Sequence, residues 1–381
     1  MIPFNVPYVP EASKRYVLDA LESNHQQGDG PFTAKASRMV SDFVGGGHVL
    51  LTPSCTHALE MASMLANIGP GDEVILPSYT FTSAATAVTK FGATPVFVDI
   101  EMHTKGIDVN HVRDAISPKT KAISWVNYAG VAPDIEGLQS LAREFNLLLI
   151  EDNAHGLGGS YKGKPLGSFG DFATQSFHAT KNIQCGEGGA LVVNNPKYIE
   201  RAEIIREKGT NRSKFIRGEI QKYQWVDQGS SYLLAEVLAA QLTGELENFQ
   251  KIQSERVDLV RRYESILFNE SNNFFSIQKL SKTDTIVAHM FYIEFKDKGD
   301  REAFRSKMLA NQITASSHYQ PLDTSQMGRK TLKPSECKNS KYFAETILRF
   351  PVWIGLHKSG IFSILEEQLN SIQSSNIPKK Y

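Results

Sequence analysis

The sequence predicts an α/β sandwich followed by a smaller α+β region, and three observations carry that prediction. Between about residues 47 and 195, short apolar runs alternate with stretches of helical periodicity. Several runs are apolar throughout, as in Leu147-Leu-Leu-Ile150, the pattern of a strand covered on both faces. At 381 residues the chain exceeds what one hydrophobic core usually serves, so two domains are expected.

In chain order, the expected strands are His48–Leu51, Glu73–Leu76, Pro95–Asp99, Lys121–Val126, Leu147–Glu151, Ala173–Phe177 and Ala190–Val193. The amphipathic stretches between them are His57–Ala66, Ser83–Phe91, Val109–Ala115 and Glu136–Phe145. A long helical pattern from about Tyr232 to Phe268 leads into the α+β region, whose strands include Ala288–Phe295. The domain boundary is expected inside or beside that helix, giving a large domain over 1–248 and a small one over 249–381.

Composition narrows the function classes. The apolar share of 41% and charged share of 22% are those of a soluble globular protein, and the formal net charge is zero. Basic residues cluster only in short groups such as Arg261-Arg262 and Lys379-Lys380, so neither nucleic acid nor a membrane surface is an expected partner. Three cysteines without framework spacing point to a reducing compartment and away from disulfides or a metal site. The first ten residues do not read as a signal peptide, and no apolar stretch approaches membrane-spanning length. A cytoplasmic protein is expected.

Ligands of such sheets sit beyond the carboxyl ends of the strands, and the notable side chains lie there. Lys181 falls in Ser176-Phe-His-Ala-Thr-Lys-Asn182, ahead of Gly186-Glu-Gly-Gly189. That setting suits a lysine held rigidly in a pocket, and equally an ordinary exposed one. Asp152 closes the run Leu147-Leu-Leu-Ile-Glu-Asp152. A carboxylate at a buried strand tip needs a cationic partner, unless it caps the following helix. His155 either bonds Asp152, lies against a bound ring, or is a surface-loop histidine.

Cys55 and Thr56, in Ser54-Cys-Thr56, open a helical stretch whose first N–H groups can face an anion or be capped without one. Ser176 can add a hydroxyl to the same anion. Phe81, ending Pro77-Ser-Tyr-Thr-Phe81, can stack on a ring or serve as plain core. Together these are what pyridoxal 5'-phosphate (PLP) chemistry asks of a protein. It needs a lysine for covalent attachment, a carboxylate for the pyridine nitrogen, N–H groups for the phosphate, and a flat side chain over the ring.

On these residues the chain resembles the sugar-nucleotide aminotransferases of the DegT/DnrJ/StrS family, from Ile2-Pro-Phe4 to Arg349-Phe-Pro351. The most specific parts are Leu51-Thr-Pro-Ser-Cys-Thr56, Pro77-Ser-Tyr-Thr-Phe81, Glu151-Asp-Asn-Ala-His155, Ser176-Phe-His-Ala-Thr-Lys-Asn182 and Gly186-Glu-Gly-Gly189. The resemblance implies the fold of aspartate aminotransferase (PLP fold type I): a large αβα domain on a mixed sheet, plus a smaller C-terminal α+β domain. It implies Lys181 as the catalytic Schiff-base lysine and Asp152 as the pyridinium partner. His155 is implied close to the ring, Phe81 stacked on it, and Thr56 with Ser176 at the phosphate.

A homodimer with shared active sites is implied too. In the family one phosphate contact comes from the other subunit, through an asparagine in Gly-x-Asn. Here Gly229-Ser-Ser-Tyr232 puts Ser231 in that place, so a shorter hydroxyl must reach or use water.

The stretch Ile204-Ile-Arg-Glu-Lys-Gly-Thr-Asn-Arg212, with Arg217-Gly218, Lys222-Tyr223, Trp225 and Gly229-Ser-Ser-Tyr232, is similar to one group within the family. Those transaminases make dTDP-4-amino-4,6-dideoxy-D-galactose from dTDP-4-dehydro-6-deoxy-D-glucose with L-glutamate as donor. The product is an amino sugar suited to polysaccharide or O-antigen biosynthesis. Arg212 and Tyr232, with His318 and Tyr319, are the candidate sugar-nucleotide contacts. Asn127 and Asp323 stand where relatives often carry histidine, at positions expected near the sugar, and Asn153 replaces a usual alanine. The alternatives are a transaminase making a 3-amino sugar or 4-amino-4,6-dideoxyglucose nucleotide and, more distantly, a PLP-binding regulator without turnover. A PLP-dependent dehydratase is opposed by Lys181, because relatives with that chemistry carry histidine there.

Overall fold

The structure is a computed structural model that describes residues 1–267, 275–277, 285, 287–330 and 336–375. Phe268, at the end of the expected long helix, and Lys379-Lys380 lie outside the described residues. The seven expected strands form one sheet, with ends displaced by a single residue. They are β1 (His48–Thr52), β2 (Glu73–Pro77), β3 (Thr94–Val98), β4 (Thr120–Val126) and β5 (Leu148–Asp152). A small hairpin of β6 (Ser160–Tyr161) and β7 (Lys164–Pro165) follows, then β8 (Phe172–Ser176) and β9 (Gly189–Val193). Strand order is β1-β9-β8-β5-β4-β2-β3. Only β9 runs against its neighbours, so the sheet is mixed and mostly parallel.

Thirteen described helices flank the strands. Ahead of the sheet come α1 (Glu11–Glu22) and α2 (Pro31–Phe43); within it lie α3 (Cys55–Leu65), α4 (Thr82–Thr89), α5 (Val109–Ala115) and α6 (Ile135–Phe145). After it run α7 (Ile199–Arg206), α8 (Arg212–Ile216), α9 (Glu236–Glu247), α10 (Phe249–Leu267), α11 (Lys298–Ala310), α12 (Lys338–Thr346) and α13 (Ile361–Ser375). Alternate strand residues go to opposite faces. Leu50, Leu191 and Val193 meet α3, α4 and α7, while Val49, Leu51 and Val192 meet α2 and α9. Toward the other edge, Ile75, Ile123 and Leu149 pack on α5 and α6. Each such aliphatic side chain contributes about 1.5–3 kcal/mol by leaving water, which fixes register throughout the sheet.

The expected helix over 232–268 is two helices starting later. Residues 230–232 are extended instead, with the N–H groups of Ser230 and Tyr232 donating to the carbonyls of Ile205 and Arg206. Asn248 separates α9 from α10, and its side-chain amide donates back to the Gly244 carbonyl at 2.8 Å. Helices α1 and α2 are absent from the sequence-based set. Their N-termini lack the usual polar caps. For α2 a distant residue supplies one, since Glu236 accepts from the N–H of Gly30 at 3.1 Å and from the Thr33 hydroxyl at 2.6 Å.

The second unit is an antiparallel sheet of β10 (Phe275–Ile277), β11 (Phe291–Phe295) and β12 (Ile347–Phe350). It packs with the buried face of α10 (Leu259, Val260, Tyr263) and with α11 and α13. Ile2 joins this cluster, its N–H donating to the Gln312 carbonyl at 2.6 Å, so the first residues pack with the C-terminal unit. No described helix is long and apolar enough to cross a membrane.

Candidate active site

At the carboxyl ends of the strands, facing the second unit, lies a cavity of about 520 Å³. Its floor is built by the large sheet. Asp152 ends β5, Ser176 ends β8, and Lys181 follows β8 in a loop tied by Lys181 N–H to the His178 carbonyl at 2.8 Å. Cys55, Thr56, Phe81 and His155 line the same space, as do His318 and Tyr319 from the second unit.

The charged groups there are held away from their ordinary ionisation. Burial first, and the charge of Arg349 to a smaller extent, lower the Lys181 amine from 10.5 to about 8, against the attraction of Asp152 and Cys55. Among the described residues Lys181 makes no ion pair. Burial likewise raises the Asp152 carboxyl, opposed by the Ala154 N–H at 3.1 Å, by Lys181 and by the Cys55 thiol. A carboxylate enclosed this way with one full hydrogen bond has room for a cationic N–H partner.

The anion cradle is the start of α3. Ser54 caps it by accepting from the His57 N–H at 3.2 Å, while the N–H groups of Cys55 and Thr56 lack an intrahelical acceptor as first-turn residues. The Thr56 hydroxyl is 2.7 Å from that of Ser83. Gly189, first residue of β9, runs so close that a Cβ there would stand 2.4 Å from the Cys55 nitrogen. Only glycine permits this approach.

His155 is buried, with Nδ1 accepting from the Ala129 N–H at 3.3 Å, so its proton is on Nε2. Its ring stacks on His289 at 4.2 Å and 18°. Burial first, then the charges nearby, keep both imidazoles well below their ordinary pKa and therefore neutral. His289 in turn bonds Asn182, the neighbour of Lys181, at 3.3 Å. Sequence reasoning missed His289; the available signal was a histidine ahead of the apolar run Met290–Ile293 in the expected strand segment Ala288–Phe295.

Other sequence candidates lie elsewhere. Tyr232 is 3% exposed in the core, and its hydroxyl donates to Glu60 at 3.1 Å, so its side chain is turned away from the cavity. Arg212 pairs with Glu207 at 3.3 Å outside the cavity, and Ser231 is exposed with its backbone bridged to Glu207. Asn127 does not line the cavity either. It is fully buried under the sheet ends, donating to Glu151 at 2.8 Å and to Asn153 at 2.9 Å, and accepting from Trp125 at 3.1 Å. Asp323 accepts from Ser78 at 2.5 Å. An isolated sequence cannot distinguish a polar residue that reads a ligand from one that completes an interior network.

The residues present fit PLP in placement and in charge. One cavity joins an enclosed carboxylate needing a cation, a neutralisable lysine without a counter-ion, and an open helix start lined by hydroxyls. The fold and this site define a fold-type I, PLP-dependent aminotransferase. The chain belongs to the DegT/DnrJ/EryC1/StrS aminotransferase family, whose signature matches residues 7–367.

It is 27% identical over 375 residues to the spore coat polysaccharide biosynthesis protein SpsC of Bacillus subtilis, with 96% of this chain and 95% of SpsC covered. Among solved structures it is similar to Helicobacter pylori PseC, an aminotransferase of pseudoaminic acid biosynthesis. That match has TM-score 0.88 and 25% identity, covering 98% of this chain and 99% of PseC. The PLP form of the putative sugar aminotransferase Spr1654 from Streptococcus pneumoniae matches at TM-score 0.86 and 25% identity, covering 96% and 98%.

Proposed function

We propose that the protein transfers the amino group of L-glutamate to a nucleotide-linked 4-keto-6-deoxyhexose. On this reading dTDP-4-dehydro-6-deoxy-D-glucose becomes dTDP-4-amino-4,6-dideoxy-D-galactose, for polysaccharide or O-antigen assembly. The observation that carries amino transfer is the Lys181 amine, unpaired and tuned to about 8, in one cavity with Asp152 and the start of α3. Bound PLP supplies an electron sink that allows an amino group and a carbonyl to exchange places. Asp152 holds a proton at the ring nitrogen, and the α3 N–H groups with Thr56 and Ser176 hold the phosphate. Lys181 Nζ, its pKa lowered to about 8 so that a sizeable fraction is neutral, is the base that takes the donor's α-proton and later delivers one to the sugar carbon. The buried, neutral His155–His289 pair excludes water from that side without adding charge.

The choice of sugar rests on the likeness of residues 204–232 to the galactose-forming group and on the sugar-related names of SpsC, PseC and Spr1654. The shared-site homodimer is part of the same proposal. Ser231 and Arg212 lie outside their own chain's cavity, and the adjoining segment exposes Phe215, Ile216, Tyr223 and Trp225, an apolar surface suited to a second copy.

The test is incubation with L-glutamate and dTDP-4-dehydro-6-deoxy-D-glucose, with the product's amino position and configuration read by NMR. A galacto 4-amino product is expected. A 3-amino or gluco product, or no turnover, refutes the substrate assignment. Borohydride should fix the cofactor on the peptide bearing Lys181, and Lys181→Ala should abolish both label and turnover. A label elsewhere refutes the site.

A further inference from the structure

Lys181 sits on a loop, residues 177–188, that leaves the large sheet at the end of β8 and returns to it at β9. Loops hold a side chain less tightly than strands do, so a lysine that must deliver a proton at a set point needs ties from outside. Two such ties flank Lys181. The Asn5 side-chain amide donates to the Ala179 carbonyl at 2.9 Å, and the Gln184 side-chain amide donates to the Tyr8 carbonyl at 2.8 Å. Both lead to one segment of chain.

That segment, residues 2–8, is anchored in both units. At one end Ile2 is buried in the second unit, its carbonyl accepting from the Thr314 N–H at 3.1 Å, and the Pro3 carbonyl accepts from Trp353 Nε1 at 3.1 Å. At the other end Tyr8 packs on the cluster that joins β1 and β9 to α2 and α9. Between them Phe4 and Asn5 line the cavity, with the Phe4 ring centre 4.8 Å from the Arg349 guanidinium. A carbonyl only accepts, so the amide nitrogen of Asn5 is committed to the lysine loop. A separate void of only about 10 Å³ is lined by residues 5–8 together with Lys181, about the room one water needs.

We propose that residues 2–8 are a positioning strap for the catalytic lysine, in which Asn5 fixes the place of Lys181 by holding the Ala179 carbonyl. The inference rests on the aminotransferase reading above for what Lys181 does, and it adds a residue that acts through the loop and not on the reacting atoms. A hydrogen bond is directional, so a peptide group held two residues from Lys181 limits where that side chain can swing. Proton transfer is steep in distance, and a misplacement of about 1 Å costs up to about 100-fold in rate. The strap also keeps water from the amine, and burial is the first cause of its lowered pKa.

The test compares wild type with Asn5→Ala and with Tyr232→Phe, a control that loses a buried hydroxyl away from the cavity. Hydrogen exchange of the whole protein without cofactor is read peptide by peptide. Asn5→Ala should speed exchange over 179–186 by about five- to tenfold, as expected for one lost hydrogen bond, and leave the rest of the chain unchanged. Its pH midpoint for capture of PLP should rise by about half a pH unit or more as water reaches the amine. With L-glutamate and bound PLP, the single-turnover rate should fall about tenfold, with the half-saturating glutamate concentration within about twofold of wild type. The control should show none of the three changes. A wild-type value for any of them in Asn5→Ala overturns the proposal, as does exchange that quickens throughout the chain. A raised KM for the sugar nucleotide with the loop unaltered also overturns it and assigns Asn5 to the acceptor. If Asn5→Ala does not fold, Asn5→Ser, too short to reach Ala179, decides by the same readings. Failure of the wild type to take PLP on Lys181 is a different result: it removes the aminotransferase reading and leaves the exchange measurement standing.

Discussion

The pKa of Lys181 makes a prediction that can be worked through before any substrate is known. Burial and Arg349 lower it from 10.5 to about 8, with Asp152 and Cys55 pulling the other way. At pH 7.5 an amine of ordinary pKa is neutral in about one molecule in a thousand, whereas one at about 8 is neutral in roughly a quarter. The capture of PLP by cofactor-free protein needs the neutral amine. Its rate should therefore climb with pH and level off above about 8, while a free lysine derivative, measured in parallel to correct for the cofactor's own titration, keeps climbing toward 10.5.

The sign of the neighbours then gives a stricter test. Asp152 stabilises the charged amine, so Asp152→Asn should move the midpoint lower still. Arg349 destabilises it, so Arg349→Gln should move the midpoint up. Stopped-flow absorbance at saturating PLP reads all three, with Lys181→Ala as the blank. A wild-type midpoint near that of the free amine, or an upward shift in Asp152→Asn, would show that burial and charge do not set this lysine as described.

Three further outcomes follow from geometry. Tyr232→Phe removes a buried hydroxyl that donates to Glu60, so it should cost about 1 kcal/mol of stability in urea and leave KM for the sugar nucleotide unchanged. Asn127→Ala leaves Glu151, Asn153 and Trp125 each short of a partner, and a loss of about 1–3 kcal/mol is expected, with acceptor specificity intact. A change in sugar preference without loss of stability would return Asn127 to the substrate. Gly189→Ala drives a methyl against the Cys55 nitrogen at the anion cradle, so PLP affinity measured by fluorescence titration should fall at least about tenfold.

The large sheet was legible because burial on both faces writes itself into sequence as unbroken apolar runs, and its seven expected strands formed within one residue of their assigned ends, whereas the strand expected over Ala288–Phe295 begins only at Phe291. Lys181, Asp152 and the start of α3 were legible because strand ends are where an α/β sheet exposes chemistry. The helices before the sheet were not: α1 starts behind Pro10 with no side-chain cap, and the residue that caps α2, Glu236, lies more than 200 positions downstream. Nothing local announces a cap made across that distance. Tyr232 and Asn127 misled for the opposite reason. Both are polar residues in suggestive places, and both satisfy interior partners that only the folded chain reveals. Arg349 and His289 belong to a third case: each reaches the cavity from the second unit, so its role depends on how the two units meet.

The contact between Gly189 and the start of α3 has a practical corollary for anyone seeking new acceptors. Seven residues, 182 through 188, separate Lys181 from Gly189, so the amine and the anion cradle share one short tether. Insertions or deletions there would misalign both at once. The wall contributed by 318–319 and 349–352 belongs to a separate sheet and loops, and with Arg349 kept it is the side on which variation can be explored while the catalytic frame stays registered.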